Sequence, residues 1–209
     1  RPPRSTRFPY TTLFRSTVIR EELEKLAKEK EFLAGYKRVS TPHITREELF
    51  HISGHLPFYE DSMFPPMEMD GERLFLKPMN CPHHHMIYKA EPRSYRDLPL
   101  RLAEYGTCYR YEQSGELAGL LRVRGMTMND AHIYCSPEQA KAELLNVLNL
   151  HTQYYELFGL KDFWMRLSLA EKDTGKFVDE PELWQKAETL ITEVMEEVGV
   201  PYEAVRGEA

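Results

Sequence analysis

The residues best suited to chemistry lie between Thr107 and Cys135, in the stretch TCYRYEQSGELAGLLRVRGMTMNDAHIYC. Arg110 and Glu112 stand two residues apart, as do Asp130 and His132, with Met128 two further back. Side chains of a β-strand alternate between its faces with a period of two. Arg110 and Glu112 therefore share a face if extended, and so do Met128, Asp130 and His132. If the two segments pair antiparallel, a guanidinium, two carboxylates and a metal-type ligand meet on one sheet surface. That surface suits an anionic substrate carrying an amine and a hydroxyl better than it suits a plain apolar core.

A second cluster lies upstream, in KPMNCPHHHMIYK, where Cys81 stands just before an expected helix. A thiolate and an imidazole are both good zinc ligands, and a catalytic zinc keeps one position open for substrate. Taken singly, each residue has a plainer reading. A lone Cys81 is a small buried hydrophobe, a lone His132 a satisfied core histidine, and a lone Arg110 a surface cation paired with Glu112. His83, His84 and His85 are consecutive, and neighbours on a helix point about 100° apart, so the three cannot share one ion. Cys81 and His85, four apart, can share a face. Roles beside a metal site or at the surface are expected for the triplet, and structural roles for Cys108 and Cys135.

These residues need elements to position them. Apolar Val18, Leu23, Leu26 and Leu33 among charged neighbours predict a helix over 17–34, ended by Gly35. YKRVST reads as a strand closed by Pro42. Thr45 is the expected cap of a short helix running to Gly54. Residues 64–70 and 73–77 flank Gly71 as a hairpin. Residues 82–90 form a helix with proline in its first turn. Residues 99–112 and 123–135 are the strands carrying the chemistry, joined by a loop with glycines at 115 and 119. Ser136 opens a long helix to Phe158, ended by Gly159. A strand over 163–170, a helix over 182–198 and a strand-like run from Gly199 complete the chain. Mixed antiparallel strands with interspersed helices give an α+β layout.

Composition sets bounds. The chain has 209 residues, 42% hydrophobic and 29% charged, with a net charge of −6. This is globular material for one large or two small domains, and its acidity gives no charge argument for nucleic acid. Its three cysteines at wide spacing suggest a reducing compartment, not a disulfide scaffold. No apolar run approaches the ~20 residues of a membrane helix, so no membrane partner is expected. The first 16 residues, RPPRSTRFPYTTLFRS, hold four arginines and no acid. They fit a transit peptide in composition. FPYTTLFRS also matches a translated sequencing adapter, the favoured reading, and no contact of residues 1–16 with the core is expected.

The motifs together resemble the catalytic domain of the threonyl-tRNA synthetase family, a class II aminoacyl-tRNA synthetase. TCYRYEQSGELAGLLRVRG resembles class II motif 2 and GYKRVSTP motif 1. MNCP and DAHIYC resemble segments holding two of that family's three zinc ligands. The resemblance covers roughly residues 17–209. It implies a class II antiparallel sheet flanked by helices, incomplete at its C-terminal end, with residues 17–209 a partial catalytic domain and motif 3 and the third zinc ligand lying beyond Ala209. It implies threonine–tRNA ligase activity in a cytoplasmic enzyme, with little ATP–pyrophosphate exchange by the chain itself. The partners implied are threonine, ATP with Mg2+, tRNA(Thr) and a second copy of the chain meeting at motif 1.

Residue by residue, the resemblance gives Arg110 the α-phosphate and the threonine carboxylate, Glu112 the adenine amino group, Arg122 the γ-phosphate and Met126 the adenine face. Met79, Arg110, Met128 and Asp130 face threonine, and Cys81 and His132 ligate Zn2+. Asp130 is placed to accept the threonine hydroxyl proton, which would reject valine; a site built for a hydroxyl can discriminate by roughly 10⁴ or more. Serine keeps the hydroxyl, and nothing in the chain resembles the family's editing domain. Three positions depart from the pattern. Met128 stands where glutamine is common, Met126 where an aromatic residue is common, and His83–His85 where glycine and one histidine are common. A thioether cannot replace an amide's donors. Two alternatives remain: a non-catalytic binding module that keeps the fold, and a prolyl- or seryl-type synthetase, against which Cys81 with His132 discriminates.

Overall fold

The computed structural model describes residues 10–170 and 180–207. These fall into two compact units, one ending at Tyr134 and the other starting at Cys135. Residues 1–9 of the segment expected to stay off the core lie outside the described residues.

The first unit opens with α1, Tyr10–Leu33. It begins seven residues earlier than the periodicity predicts, so the helix reaches into the arginine-rich segment. Its C-terminal half packs against the sheet. Glu31 is buried and accepts a hydrogen bond from Asn129 Nδ2, and Lys28 lies 5.0 Å from the Tyr105 ring centroid.

The centre of the unit is the antiparallel hairpin of β5, Leu100–Tyr109, and β6, Gly125–Tyr134. The strand expected over YKRVST is short. β1, Lys37–Arg38, pairs parallel with β5 at Leu102 and Ala103, giving the order β1-β5-β6. Alternation gives the hairpin two different faces. Arg101, Tyr105 and Asn129 face α1, where Arg101 donates to the Ala34 carbonyl at 3.2 Å. The opposite face carries Leu102, Glu104, Gly106 and Cys108, all buried. An apolar strand face thus turns polar at Glu104, under the site.

A smaller sheet, β2-β4-β3, comprises β2, Ile44–Arg46, β3, Met67–Met69, and β4, Glu72–Leu76. Asp70 and Gly71, at φ 52° and 81°, make the β3–β4 turn; glycine accepts this left-handed geometry without penalty and aspartate tolerates it. Thr45 is not a helix cap as expected. It sits in β2 opposite Phe75, and Arg46 precedes α2, Glu47–Ile52. Register pairing with β4 overrides the local capping preference there. After α2 comes the single turn α3, His55–Phe58. Phe50, Leu56, Met63 and Phe75 form a buried cluster, with Phe50 edge-on to Phe75 at 6.0 Å. β4 leads directly into Lys77 and α4, Cys81–Lys89.

The second unit holds α5, Pro137–Phe158, β7, Met165–Leu169, α6, Pro181–Val198, and β8, Tyr202–Arg206. Its boundaries follow the sequence signals, with a Ser136 capping box and left-handed Gly159 bounding α5. β7 and β8 pair in parallel. Among the described residues no helix is long and apolar enough to cross a membrane.

Candidate metal and substrate site

The site lies on the polar face of the β5–β6 hairpin, within the first unit. The register sets His132 opposite Leu102, Asp130 opposite Glu104, Met128 opposite Gly106 and Met126 opposite Cys108. The N-terminal turn of α4 brings Cys81 to the same face. One ligand atom each from Cys81, Asp130 and His132 lies within 4.8 Å of the other two, and all three residues are half-buried. Burial, reinforced by the Asp130 charge, pushes the Cys81 thiol up. Burial also holds the His132 imidazole below its ordinary value against the opposing pull of Asp130, so its neutral, lone-pair-bearing form is favoured.

The close approach of Asn80, just before α4, to β5 depends on Gly106. A Cβ there would stand 2.2 Å from Asn80 Oδ1. The vacant space is filled by the fully buried Asn80 side chain. Asn80 Nδ2 donates to Asp130 Oδ2 at 3.3 Å, and the Cys108 thiol points at Asn80 Oδ1 at 3.5 Å. Asn80 thereby aims the Asp130 carboxylate. Burial pushes the Cys108 thiol up to about 11, consistent with the structural role expected of it.

Beneath these residues is a buried charged network. Glu104 Oε1 accepts from the Thr41 backbone N–H at 2.7 Å, and Thr41 Oγ1 lies 2.9 Å from Oε2. Lys77 Nζ, fully buried, reaches Thr41 Oγ1 at 2.7 Å and Glu104 Oε1 at 3.4 Å. Burial by itself raises the Glu104 carboxyl, but the Thr41 hydrogen bonds and the Lys77 charge outweigh it and hold the group below its ordinary value. His84 Nε2 is 3.1 Å from Glu104 Oε2, and His84 Nδ1 is 2.8 Å from His132 Nδ1.

The histidine triplet divides as helix geometry requires. His84 joins the network. His85 Nδ1 pairs with the Tyr134 hydroxyl at 2.8 Å and falls outside the cluster that could hold an ion. His83 is buried, and neither of its ring nitrogens has a hydrogen-bond partner.

The residues assigned to nucleotide and amino acid group less tightly. Arg110 follows β5, and its Nε lies 3.4 Å from the Pro78 carbonyl; its charge is near enough to favour the Cys81 thiolate. The pairing of Arg110 with Glu112 is not what forms. Glu112 Oε2 instead accepts from Arg122 Nε at 2.9 Å, and its backbone carbonyl accepts from Arg124 Nε at 3.0 Å. Leu120 and Leu121, at the tip of the loop, are 96% exposed. Met126 and Met128 line the site face, half-buried. Met79 Sδ contacts His55 Nε2 at 3.4 Å.

Thr41, Lys77, Asn80, Glu104 and Gly106 carry the architecture, and sequence reasoning did not find them. One signal was available: Glu104 and Gly106 break an otherwise apolar alternation begun by Leu100 and Leu102.

Residues 66–200 match the family model described as tRNA synthetase class II core domain (G, H, P, S and T). The chain is 51% identical over 193 residues to a threonine–tRNA ligase of Deinococcus radiodurans, covering 92% of this chain and 30% of that protein. It is 50% identical over 196 residues to threonine–tRNA ligase 1 of Bacillus subtilis, covering 93% of this chain and 30% of that protein. The chain thus spans about a third of the length of these curated relatives. Among solved structures, a putative threonyl-tRNA synthetase from Aeropyrum pernix superposes with a TM-score of 0.84 at 35% identity, over 91% of this chain and 44% of that one. A prolyl-tRNA synthetase from Giardia lamblia is less similar, with a TM-score of 0.53 at 26% identity over 61% of this chain and 26% of that one.

Proposed function

Because the chain belongs to the class II aminoacyl-tRNA synthetase core-domain family, we propose that it supplies the threonine- and ATP-binding part of a threonine–tRNA ligase. The observation that carries this reading is the convergence of Cys81, Asp130 and His132 on the polar face of the hairpin. A thiol, an imidazole and a carboxylate form a donor set suited to zinc. Ligand atoms that lie within 4.8 Å of one another are near the spacing that zinc bonds of about 2.0–2.3 Å require. When bound, the metal would hold the amine and hydroxyl of threonine as a Lewis acid.

In this reading Cys81 and His132 are the ligands. Asp130, steadied by Asn80, accepts the substrate hydroxyl. The Arg110 guanidinium bridges the threonine carboxylate and the ATP α-phosphate bidentately. It holds them in line while a carboxylate oxygen attacks phosphorus, the threonyl-adenylate bond forms, and pyrophosphate leaves with Mg2+. Catalysis here is positioning and charge stabilisation. Glu112 receives the adenine amino group, with Met126 against the ring, and Arg122 would leave Glu112 for the γ-phosphate. Met79 and Met128 border the amino acid. Transfer to tRNA(Thr), pairing of two copies through the motif 1 segment at the sheet edge, and a cytoplasmic setting belong to the same proposal, as does treatment of residues 17–209 as one partial catalytic domain.

Calorimetry on the Zn2+-loaded chain tests it. Threonine should bind, valine should not, and a chelator should abolish the difference. Equal binding of both amino acids, or threonine binding that ignores the chelator, would remove the basis of the reading.

A further inference from the structure

Four polar groups behind the metal site form one hydrogen-bonded line: Lys77, Glu104, His84 and His132. We propose that Glu104 and His84 are positioning residues that fix the tautomer of His132, so that its lone pair stands on Nε2, the nitrogen His84 does not engage. The inference rests on the metal reading above for its purpose, but not for its geometry.

The argument is a proton count along the line. Glu104 Oε1 receives the Thr41 N–H at 2.7 Å and lies 3.4 Å from Lys77 Nζ. Both are donors, so Glu104 is an acceptor carboxylate there. Its Oε2, 3.1 Å from His84 Nε2, is then an acceptor too, and His84 Nε2 must carry the hydrogen. Lys77 Nζ is already the cation beside Glu104. A neutral imidazole has one N–H and one lone pair, which leaves His84 Nδ1 as an acceptor. The 2.8 Å contact of His84 Nδ1 with His132 Nδ1 needs one hydrogen, and His132 must supply it. His132 is thereby the Nδ1–H tautomer, with its lone pair on Nε2. The rings cross edge-on at 84° with centroids 4.8 Å apart, which fixes the orientation of His132 as well as its proton. A histidine ligand commonly has its second nitrogen committed to such a partner. Here that partner is another histidine, itself set by a buried carboxylate 20 residues further on.

Glu104→Gln is the diagnostic change. Thr41 N–H and Lys77 still demand an acceptor at the Oε1 position, so the new amide nitrogen must occupy the Oε2 position and donate to His84 Nε2. That reverses the protons on both histidines. His84 would donate from Nδ1, and His132 would carry its hydrogen on Nε2, the position a metal needs free.

Long-range proton–nitrogen NMR correlation on the metal-free chain reads the tautomer directly. The expected result is Nδ1–H for His132 in the wild type and Nε2–H in Glu104→Gln. Zn2+ affinity, from chelator competition, should fall roughly 10–100-fold in Glu104→Gln, the range for lost partners of metal ligands. His84→Gln, which can still donate to Glu104 but no longer accepts from His132, should lose as much. His84→Asn keeps an acceptor oxygen near the former Nδ1 and should lose less. A wild-type His132 protonated on Nε2 overturns the proposal, as does a folded Glu104→Gln with tautomer and Zn2+ affinity unchanged. If Glu104→Gln does not fold, the wild-type tautomer and the Gln–Asn contrast at His84 decide. Failure of the wild type to bind Zn2+ overturns the metal reading alone, while the tautomer measurement still decides this one.

Discussion

Gly106→Ala is a one-methyl change whose consequence follows from the packing of Asn80 against β5. The added Cβ would stand 2.2 Å from Asn80 Oδ1 and 2.6 Å from its Cγ and Nδ2. No Cβ tolerates such contacts, so something must move. β5 is the central strand of its sheet, and the register on the β6 side runs unbroken from Leu100 to Tyr109, so the backbone resists. Asn80 must turn instead. It then loses its bond to the Asp130 carboxylate, 3.3 Å long, worth about 1.5–3 kcal/mol for a charged acceptor. Overpacking in a tight interior adds about 1–3 kcal/mol. The variant should therefore be about 3–5 kcal/mol less stable, with little change in the urea m-value. In an Asn80→Ala background the obstruction is gone, and the same methyl should cost under about 1 kcal/mol. A double-mutant cycle by urea unfolding reads the coupling as the difference, at least about 2 kcal/mol. If Gly106→Ala destabilises equally in both backgrounds, the close approach of Asn80 to β5 is not what requires glycine.

Two further outcomes test other parts of the site. Lys77→Met removes the fully buried ammonium 3.4 Å from Glu104 and leaves an uncompensated buried carboxylate, so unfolding free energy should drop by about 3–5 kcal/mol, and a variant as stable as the parent would refute the network. His83 is pushed down to about 4, chiefly by burial, whereas the unfolded imidazole titrates near 6.5; the unfolded state then binds more protons between those values, and stability is lost as pH falls through the window. From pH 7 to pH 5 His83 alone should remove roughly 2 kcal/mol, and His83→Leu should show that much less pH dependence in urea titrations, with identical slopes counting against the reading.

Much of the local structure could be read directly from sequence because its causes are local. Helix α5 starts and stops where Ser136 and Gly159 direct it, since capping and left-handed geometry involve only a few neighbouring atoms. Period-two alternation placed Asp130 and His132 on one strand face, and the antiparallel register put them there. What alternation could not supply was the distance from Cys81, 51 positions before His132 in the sequence (132 − 81 = 51); only folding, which sets the first turn of α4 beside the hairpin, brings their ligand atoms within 4.8 Å. Local rules also misassigned Thr45, whose capping preference gave way to pairing with Phe75, and gave no reason to join Glu112 to Arg122 across the loop. The deepest layer was the least visible. Thr41, Lys77, Glu104 and His84 come from four separate segments, and each reads as ordinary polar surface until folding buries it. Sequence determines which side chains are available and which faces they share. Burial and long-range contact decide which charges must be neutralised, which way protons point, and so which nitrogen of His132 is left free.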